Sequence, residues 1–184
     1  MSLQNKQPES KQLLAKYWAT GKKFHAKTSS FIKKYNNKII VIKYGGYALT
    51  KPALLKSFAK NISLLNQLGI KVIVVHGGGP QIEKELKKRK INNEEYQGLR
   101  VTTKSVLGVV KRILSHDLNK LISDEIKKNG GKTKRLNGVS TKVLKAKIAM
   151  NGNIGFVGEP RGIDKNIIMK ALKDNHIPII APLG

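Results

Sequence analysis

The stretch Val72-Ile-Val-Val-His-Gly-Gly-Gly-Pro-Gln81 joins an apolar run, a glycine cluster and a proline in the order strand, loop, helix. Four consecutive β-branched residues are typical of a strand that is buried on both faces. Pro80 is favoured in the first turn of a helix, because the amide hydrogen it lacks would have no partner there. This stretch therefore predicts a strand that turns directly into a helix, which is the building unit of an α/β fold.

The chain before this stretch has the same pattern. Ile39–Lys43 is a second apolar run and predicts a strand. Pro52 and Gly69 bracket a segment with apolar residues at helical spacing, as expected for the first turn and the end of a helix. Two strands joined by a helix predict a βαβ unit with parallel strands.

The chain after this stretch also alternates between helix and strand. A long apolar pattern of helical period predicts a helix that Thr102 or Thr103 caps and Gly130 ends. Residues from about 134 to 156 predict short strands with a turn at Asn151–Gly152. Residues 164–174 predict a helix and Ile177–Ala181 a final strand, so the whole pattern favours a mostly parallel sheet.

Residues 1–38 form a basic N-terminal extension, with nine lysines and one acidic residue. Their apolar residues fall on helical faces on both sides of Gly21, which predicts one interrupted amphipathic helix or two short ones. A surface helix that covers the domain is the simplest interpretation. A transit peptide is disfavoured because such segments are rich in Arg, and the first Arg of this chain is Arg89.

The charge and composition exclude several classes of protein. The chain of 184 residues has 36 basic and 11 acidic side chains, a net charge of +25, but 31 of the cations are Lys and five are Arg. Few aromatics and little Arg disfavour a nucleic-acid partner, and the Lys-, Asn- and Ile-rich composition is typical of an AT-biased genome. The absence of cysteine excludes disulfides and thiolate zinc sites. With no long apolar segment or signal peptide, we expect a cytoplasmic protein with no membrane partner.

Two glycine clusters directly follow strands, Gly45–Gly46 and Gly77–Gly79. Glycine lets backbone amides approach an anion closely, and the helix after the second cluster directs the positive end of its dipole at the same place. Lys43 stands beside the first cluster as a positive point charge. A single cluster would more often be a tight turn, but two clusters on neighbouring parallel strands predict two anion sites at one edge. The spacing matches neither the Rossmann nor the Walker pattern.

Few other residues are candidates for chemistry. Arg100, before the long helix, can clamp a carboxylate with two parallel hydrogen bonds, although a solvent ion pair is the simpler interpretation. His76 is expected to hold its loop by hydrogen bonds rather than to transfer protons. No catalytic triad or paired carboxylate is evident, and the remaining histidines lack metal-ligand spacing, so no metal site is predicted.

Five motifs together resemble the N-acetylglutamate kinases of the amino acid kinase family. They are Ile-Lys-Tyr-Gly-Gly (42–46), Val-Val-His-Gly-Gly-Gly-Pro-Gln-Ile (74–82), Gly-Leu-Arg-Val-Thr (98–102), Phe-Val-Gly-Glu-Pro (156–160) and Ile-Ile-Ala-Pro-Leu-Gly (179–184). The resemblance runs from about residue 31 to the last residue. It implies a three-layer αβα sandwich in which residues 39–184 are the lobe that binds N-acetyl-L-glutamate.

The resemblance implies transfer of the γ-phosphoryl group of ATP, bound as its Mg²⁺ complex, to the side-chain carboxylate of N-acetyl-L-glutamate. Lys43 would be catalytic by neutralising charge on the transferring group, and Gly45 and Gly46 would donate to the ATP phosphates. Gly77 and Gly78 would hold the substrate side chain, and Arg100 its α-carboxylate. The resemblance also implies a homo-oligomer, either a dimer or a hexamer joined through the N-terminal helix.

The sequence departs from the family pattern at three places. Tyr47 stands where a small or amide residue is usual, and Asn137–Thr141 replaces a loop that normally reads Ser-Gly-Lys-Asp-Gly. The later motifs of the second lobe are absent, so we expect a chain truncated after the N-terminal lobe and poorly active alone. The alternative is a non-catalytic binding or regulatory module, like the amino acid kinase domain of N-acetylglutamate synthase.

Overall fold

The computed structural model describes residues 26–184, which form eight strands and six α-helices. The strands are β1 (Ile39–Tyr44), β2 (Lys71–His76), β3 (Glu95–Tyr96), β4 (Leu99–Arg100), β5 (Thr133–Leu136), β6 (Leu144–Ile148), β7 (Gly158–Ile163) and β8 (Ile177–Ile180). The helices are α1 (Ala26–Tyr35), α2 (Pro52–Gln67), α3 (Gly79–Lys88), α4 (Lys104–Lys111), α5 (Asn119–Lys128) and α6 (Lys165–Lys173). A π-helical segment, Arg112–Leu118, joins α4 to α5, and two short 3₁₀ turns cover Ala48–Thr50 and Met150–Gly152.

The central sheet has four parallel strands in the order β1-β2-β8-β5. Tyr44 lies beside His76, Val74 beside Ile179, and Ile179 beside Arg135. β8, the last strand in sequence order, lies between β2 and β5, so β1 and β5 are the two edge strands. The predicted parallel sheet is therefore confirmed.

Helices lie against both faces of the sheet and make three layers, although one face of β1 is open, with Ile39 and Val41 45% and 63% exposed. Successive side chains of a strand point to opposite faces, and the main buried cluster contains Val72 and Val74 with residues of α2, α3, α4 and α5. Ile73 and Leu136 are buried outside that cluster, as are two residues of α6, Ala171 and Leu172. The alternation therefore places α6 on the opposite face, in agreement with the predicted αβα sandwich.

The ends of the helices follow from local chemistry. The Thr103 hydroxyl accepts a hydrogen bond from the Val106 amide at 3.3 Å, so Thr103 is the cap of α4. Pro52 lies in the first turn of α2, and Gly69, with φ of 85°, follows its end. Asp164 caps α6 by accepting from the Asn166 amide at 2.9 Å. These boundaries confirm the predicted ends of the helices.

Two local features differ from the sequence-based prediction, and a third agrees with it. The predicted continuous helix after Thr103 contains the π-helical segment. Residues 95–100, where no strand is predicted, form an antiparallel hairpin whose two turn residues, Gln97 and Gly98, have φ of 51° and 74°. The second hairpin pairs β6 with β7 and turns near the predicted Asn151–Gly152, through the 3₁₀ turn.

The N-terminal extension is only partly within the described residues. The segment Ala26–Tyr35 forms α1, in the second half of the predicted amphipathic region. The first half, with Leu13, Leu14, Tyr17 and Trp18, lies outside the described residues. Across residues 26–184 no helix combines the length and the apolar character needed to cross a bilayer.

Candidate functional site

The carboxyl ends of four parallel strands meet at one edge of the sheet, where open α/β sheets place their ligands. The loops that leave this edge begin at Gly45 after β1, Gly77 after β2, Asn137 after β5 and Ala181 after β8. The parallel sheet therefore brings both glycine clusters to the same edge, as predicted.

The two glycine loops are in direct backbone contact. The Gly77 amide donates to the Tyr44 carbonyl at 2.9 Å, and the Gln81 side-chain amide donates to the Gly46 carbonyl at 2.8 Å. A Cβ atom on Gly46 would lie 2.9 Å from the Gly78 nitrogen, closer than real Cβ atoms come to backbone. Glycine at position 46 is therefore required for the approach of the two loops.

The second loop opens directly into α3, whose N-terminus faces this edge. Gly78 is the N-cap and Pro80 lies in the first turn. Within the described part of the chain, the amides of Gly46, Gly78 and Gly79 donate to no acceptor. Free amides and the positive end of the helix dipole attract an anion, so this arrangement can bind a carboxylate or phosphate.

Lys43 lies at the edge but on the other face of the sheet from Tyr44. It is the fifth residue of β1, is exposed, and stands in register with Val75. Among residues 26–184 no acidic side chain pairs with its ammonium group. Lys43 therefore supplies a positive charge next to the first glycine loop.

Arg100 lies in the β3–β4 hairpin rather than in the sheet. Its Nε atom donates to the Asn93 side-chain oxygen at 2.8 Å. Within the described residues, no hydrogen bond or ion pair links Arg100 to either glycine loop, and no acceptor is bound to its terminal nitrogens. The structure therefore holds the guanidinium by one nitrogen and leaves its terminal fork free for a ligand.

His76, the last residue of β2, is 1% exposed and hydrogen-bonded through both ring nitrogens. Its Nδ1 lies 3.1 Å from the Gly77 carbonyl, and its Nε2 lies 3.2 Å from the Asn119 side-chain nitrogen. Burial lowers the pKa of His76, and the hydrogen bond to Gly77 only partly opposes this shift. His76 is therefore a neutral, loop-holding residue, as predicted.

Two further residues of this buried network were missed by the sequence analysis, Asn119 at the start of α5 and Arg135 in β5. The Asn119 side-chain nitrogen also donates to the Ile179 carbonyl at 2.9 Å, and its oxygen accepts from Arg135 Nε at 3.0 Å. No motif signals these contacts, since Asn119 is 43 residues from His76 in the sequence.

The loop after β5 is held by hydrogen bonds of its own side chains. The Asn137 oxygen accepts from the Ser140 amide at 2.8 Å, and Thr141 Oγ1 donates to the Asn137 carbonyl at 2.5 Å. Gly138 donates to the Leu183 carbonyl at 2.6 Å, so this loop is tied to the chain that follows β8.

Across residues 26–184, no three His, Cys, Asp or Glu side chains come together to hold a metal ion.

Comparison with known proteins gives consistent matches. The model of the amino acid kinase family matches residues 38–184. The chain is 40% identical over 154 residues to the acetylglutamate kinase of Campylobacter curvus, and 39% identical over 165 residues to that of Psychrobacter cryohalolentis. Each match covers 84% of this chain and 55% of the relative, so the chain spans about half the length of these curated relatives.

A solved structure supports the fold. N-acetylglutamate synthase from Neisseria gonorrhoeae, complexed with coenzyme A and N-acetyl-glutamate, superposes with a TM-score of 0.71. The two chains are 21% identical, and the superposition covers 85% of this chain and 36% of that chain. At this identity the likeness concerns the fold alone.

Proposed function

This chain belongs to the amino acid kinase family, and on that premise we propose that it is the N-acetyl-L-glutamate-binding lobe of an acetylglutamate kinase. Relatives of that name are about 40% identical to it. The reaction would transfer the γ-phosphoryl group of ATP to the side-chain carboxylate of N-acetyl-L-glutamate, giving an acyl phosphate and ADP. In the cell it would serve arginine biosynthesis in the cytoplasm, in a homo-oligomer.

The observation that carries this proposal is the contact between the two glycine loops at the edge of the sheet. Phosphoryl transfer requires the acceptor and the donor phosphate to lie next to each other, with their negative charges neutralised. The free amides of Gly78 and Gly79 would receive the acceptor carboxylate, and those of Gly45 and Gly46 the phosphates. Gly46 lies so close to Gly78 that an added Cβ atom would be 2.9 Å from the Gly78 nitrogen, so the two proposed anion sites are adjacent.

Lys43 and Arg100 would each bind a different ligand, ATP and N-acetyl-L-glutamate respectively. Lys43 would neutralise charge on the transferring phosphoryl group, because it stands beside the first loop with no acidic partner among the described residues. Arg100 would pair with the α-carboxylate of the substrate through the terminal nitrogens that its bond to Asn93 leaves free. Gly77 and Gly78 would hold the side-chain end of the substrate: the Gly78 amide would donate to it, whereas the Gly77 amide already donates to the Tyr44 carbonyl, so Gly77 would contribute by its position in the loop.

The phosphate groups of the nucleotide would bind at the first glycine loop. A Cβ atom on Gly45 would meet nothing within 4 Å, so the loop faces open space where a phosphate can enter. Magnesium would arrive as the ATP complex and would supply charge neutralisation at the phosphates.

Calorimetric titration of the 184-residue chain with N-acetyl-L-glutamate tests the proposal. We expect saturable binding that Arg100→Ala weakens by about tenfold to a hundredfold, since a charge-assisted hydrogen bond pair is lost. Arg161→Ala is the matched control, because Arg161 lies on the exposed β6–β7 hairpin and pairs with Glu159. Lys43→Ala should bind N-acetyl-L-glutamate normally, since its proposed partner is the phosphoryl group.

An assay for ADP release completes this test. We expect negligible turnover of ATP with N-acetyl-L-glutamate, because the chain spans about half of its relatives and the loss of even one charge-stabilising group lowers rates by about 10²–10³. Binding without turnover agrees with the proposed substrate lobe and also with the non-catalytic alternative; adding the C-terminal half of a curated relative in trans would restore ADP release only for the kinase. A chain that does not bind N-acetyl-L-glutamate would contradict both.

A further inference from the structure

A chain of hydrogen bonds, buried at its centre and partly buried at its two ends, runs from β5 to the second glycine loop. Arg135 Nε donates to the Asn119 oxygen at 3.0 Å, the Asn119 nitrogen contacts His76 Nε2 at 3.2 Å, and His76 Nδ1 contacts the Gly77 carbonyl at 3.1 Å. Asn119 and His76 are each 1% exposed. Buried polar groups that are fully hydrogen-bonded hold one arrangement rigidly.

The groups at the two ends of this series of hydrogen bonds determine which atom donates and which accepts at each position between them. Arginine can only donate, so the Asn119 atom that faces Arg135 must be its oxygen. The other atom, the amide nitrogen, then donates to the Ile179 carbonyl and to His76 Nε2. Because Nε2 must accept, the proton of the neutral ring lies on Nδ1 and is donated to the Gly77 carbonyl. The orientation of one peptide in the glycine loop is thus set from β5.

The π-helical segment places Asn119 for this role. The Asn119 backbone amide donates to the Leu114 carbonyl, five residues earlier, and to the His116 carbonyl, rather than to the Ser115 carbonyl as in an α-helix. The Ser115 carbonyl accepts from Arg135 Nη2 at 2.7 Å. The same segment touches the loop directly, since a Cβ on Gly78 would lie 2.6 Å from Leu118 and 2.7 Å from Leu114.

We propose that Arg135, Asn119 and His76 are positioning residues that orient the Gly77–Gly78 peptide, so that the Gly78 amide is presented to a carboxylate ligand. The proposal rests on the substrate-binding function proposed above for this loop. These residues touch the loop carbonyl and one another, and they act on the ligand only through the peptide. The alternative is that His76 merely fills space in the core.

Two substitutions of His76 separate these explanations. The amide nitrogen of Asn lies as many bonds from Cα as His Nδ1, so His76→Asn retains a donor to the Gly77 carbonyl and loses the contact with Asn119. The amide of Gln lies as many bonds from Cα as His Nε2, so His76→Gln retains the contact with Asn119 and loses the donor. Gln is also closer to His in volume. A space-filling role therefore favours Gln, and a positioning role favours Asn.

The Gly78 amide signal in ¹H–¹⁵N spectra reports on the loop without any ligand, because Gly78 N–H belongs to the peptide whose carbonyl His76 binds. We expect this signal to stay near its wild-type position in His76→Asn and to move in His76→Gln. The affinity for N-acetyl-L-glutamate should fall about tenfold in His76→Gln and by no more than about twofold in His76→Asn. The thermal midpoints should rank in the opposite order, with Gln the more stable.

A measurement on the unmodified chain keeps the proposal testable if a variant does not fold. The ¹⁵N shifts of the His76 ring should show a proton on Nδ1 and an unprotonated Nε2; the reverse assignment would overturn the proposal. So would a Gly78 signal that moves equally in both variants. If the wild-type chain does not bind N-acetyl-L-glutamate but the Gly78 signal behaves as expected, the substrate assignment fails and the positioning of the peptide stands.

Discussion

At the scale of single residues, the strongest requirement is for glycine at position 46. A Cβ there would meet the Gly78 nitrogen at 2.9 Å, whereas a Cβ on the neighbouring Gly45 would meet nothing within 4 Å. We expect Gly46→Ala to lower the free energy of unfolding by about 1–3 kcal/mol, because backbone must move. Gly45→Ala, the matched control, should change it by less than about 0.5 kcal/mol.

Urea unfolding of the two variants measures this difference. Equal losses of stability at positions 45 and 46 would show that the approach of the two loops does not set the requirement. Near-wild-type stability of Gly46→Ala would mean that the loops can separate without penalty, and that the two anion sites are not rigidly coupled.

Some residues of the site can be predicted from the sequence and others cannot. Lys43 and the two glycine clusters are recognisable because they directly follow apolar runs, and strand ends are local features. Asn119 and Arg135 are not recognisable, because an Asn inside a helix and an Arg in a strand have no local signal. Their importance comes from His76, which is distant in the chain and adjacent in space.

At the scale of elements, the long helical region depends on its cap. Thr103 is the N-cap of α4, and its hydroxyl accepts from the Val106 amide. We expect Thr103→Ala to lower the free energy of unfolding by about 1 kcal/mol, because that amide loses its acceptor. Thr103→Ser, which keeps the hydroxyl, should differ from wild type by only a few tenths of a kcal/mol.

Thermal unfolding followed by circular dichroism checks the cap. If Ser and Ala at position 103 destabilise the protein equally, the hydroxyl is not what matters and Thr103 contributes through its methyl group or its backbone. The sequence pattern is consistent with either Thr102 or Thr103 as the cap. The structure resolves this choice, since Thr102 is 7% exposed and pairs through its backbone with Ile154 and Phe156.

The interruption of this helical region could not be foreseen from its composition. Apolar spacing across 104–128 is consistent with a continuous helix, and a π-helical turn changes that spacing by only one residue. The change becomes meaningful where the helix meets β2 and β5, because it determines which residue faces His76. The β3–β4 hairpin was missed for a related reason: each of its strands has two residues, too few for an alternating pattern.

At the scale of the whole molecule, the net charge of +25 means that most of the basic side chains have no acidic side chain to pair with. Acidic groups are few and often shared: Glu85 lies between Arg89 and Arg112, and Glu159 between Lys147 and Arg161. Eleven acidic side chains cannot pair with 36 basic ones. The absence of a nucleic-acid partner remains a prediction, made from the scarcity of Arg and aromatic residues.

The buried network links stability to pH through His76. Burial lowers its pKa in the folded chain, whereas the unfolded chain takes up a proton near the ordinary value of 6.5. Below that pH the unfolded state binds more protons, so the free energy of unfolding falls as the pH falls from about 7.5 to about 5.5. Arg135, which donates to Asn119, is itself positively charged and cannot stabilise a protonated His76.

Thermal midpoints of wild type and His76→Gln at these two pH values measure this effect. The wild-type midpoint should decrease more than that of the variant, which has no titrating group at 76. Glu85 and Asp124 should contribute little, since hydrogen bonds from Arg89 and Lys120 hold the pKa of these two carboxylates below their ordinary values. Parallel decreases in both proteins would show that His76 is protonated without loss of stability.

Local chemistry in the chain was sufficient to predict the strands and helices of the sheet, their parallel arrangement and the edge at which the glycine loops meet. Apolar periodicity, glycine and proline act within a few residues, so their effects can be predicted one segment at a time. The folded molecule alone established that Gly46 touches Gly78, that β8 enters between β2 and β5, and that Asn119 and Arg135 hold His76. Such contacts depend on strand order and on the rotation of a helix about its axis, which are set by burial of the whole core and not by any single segment.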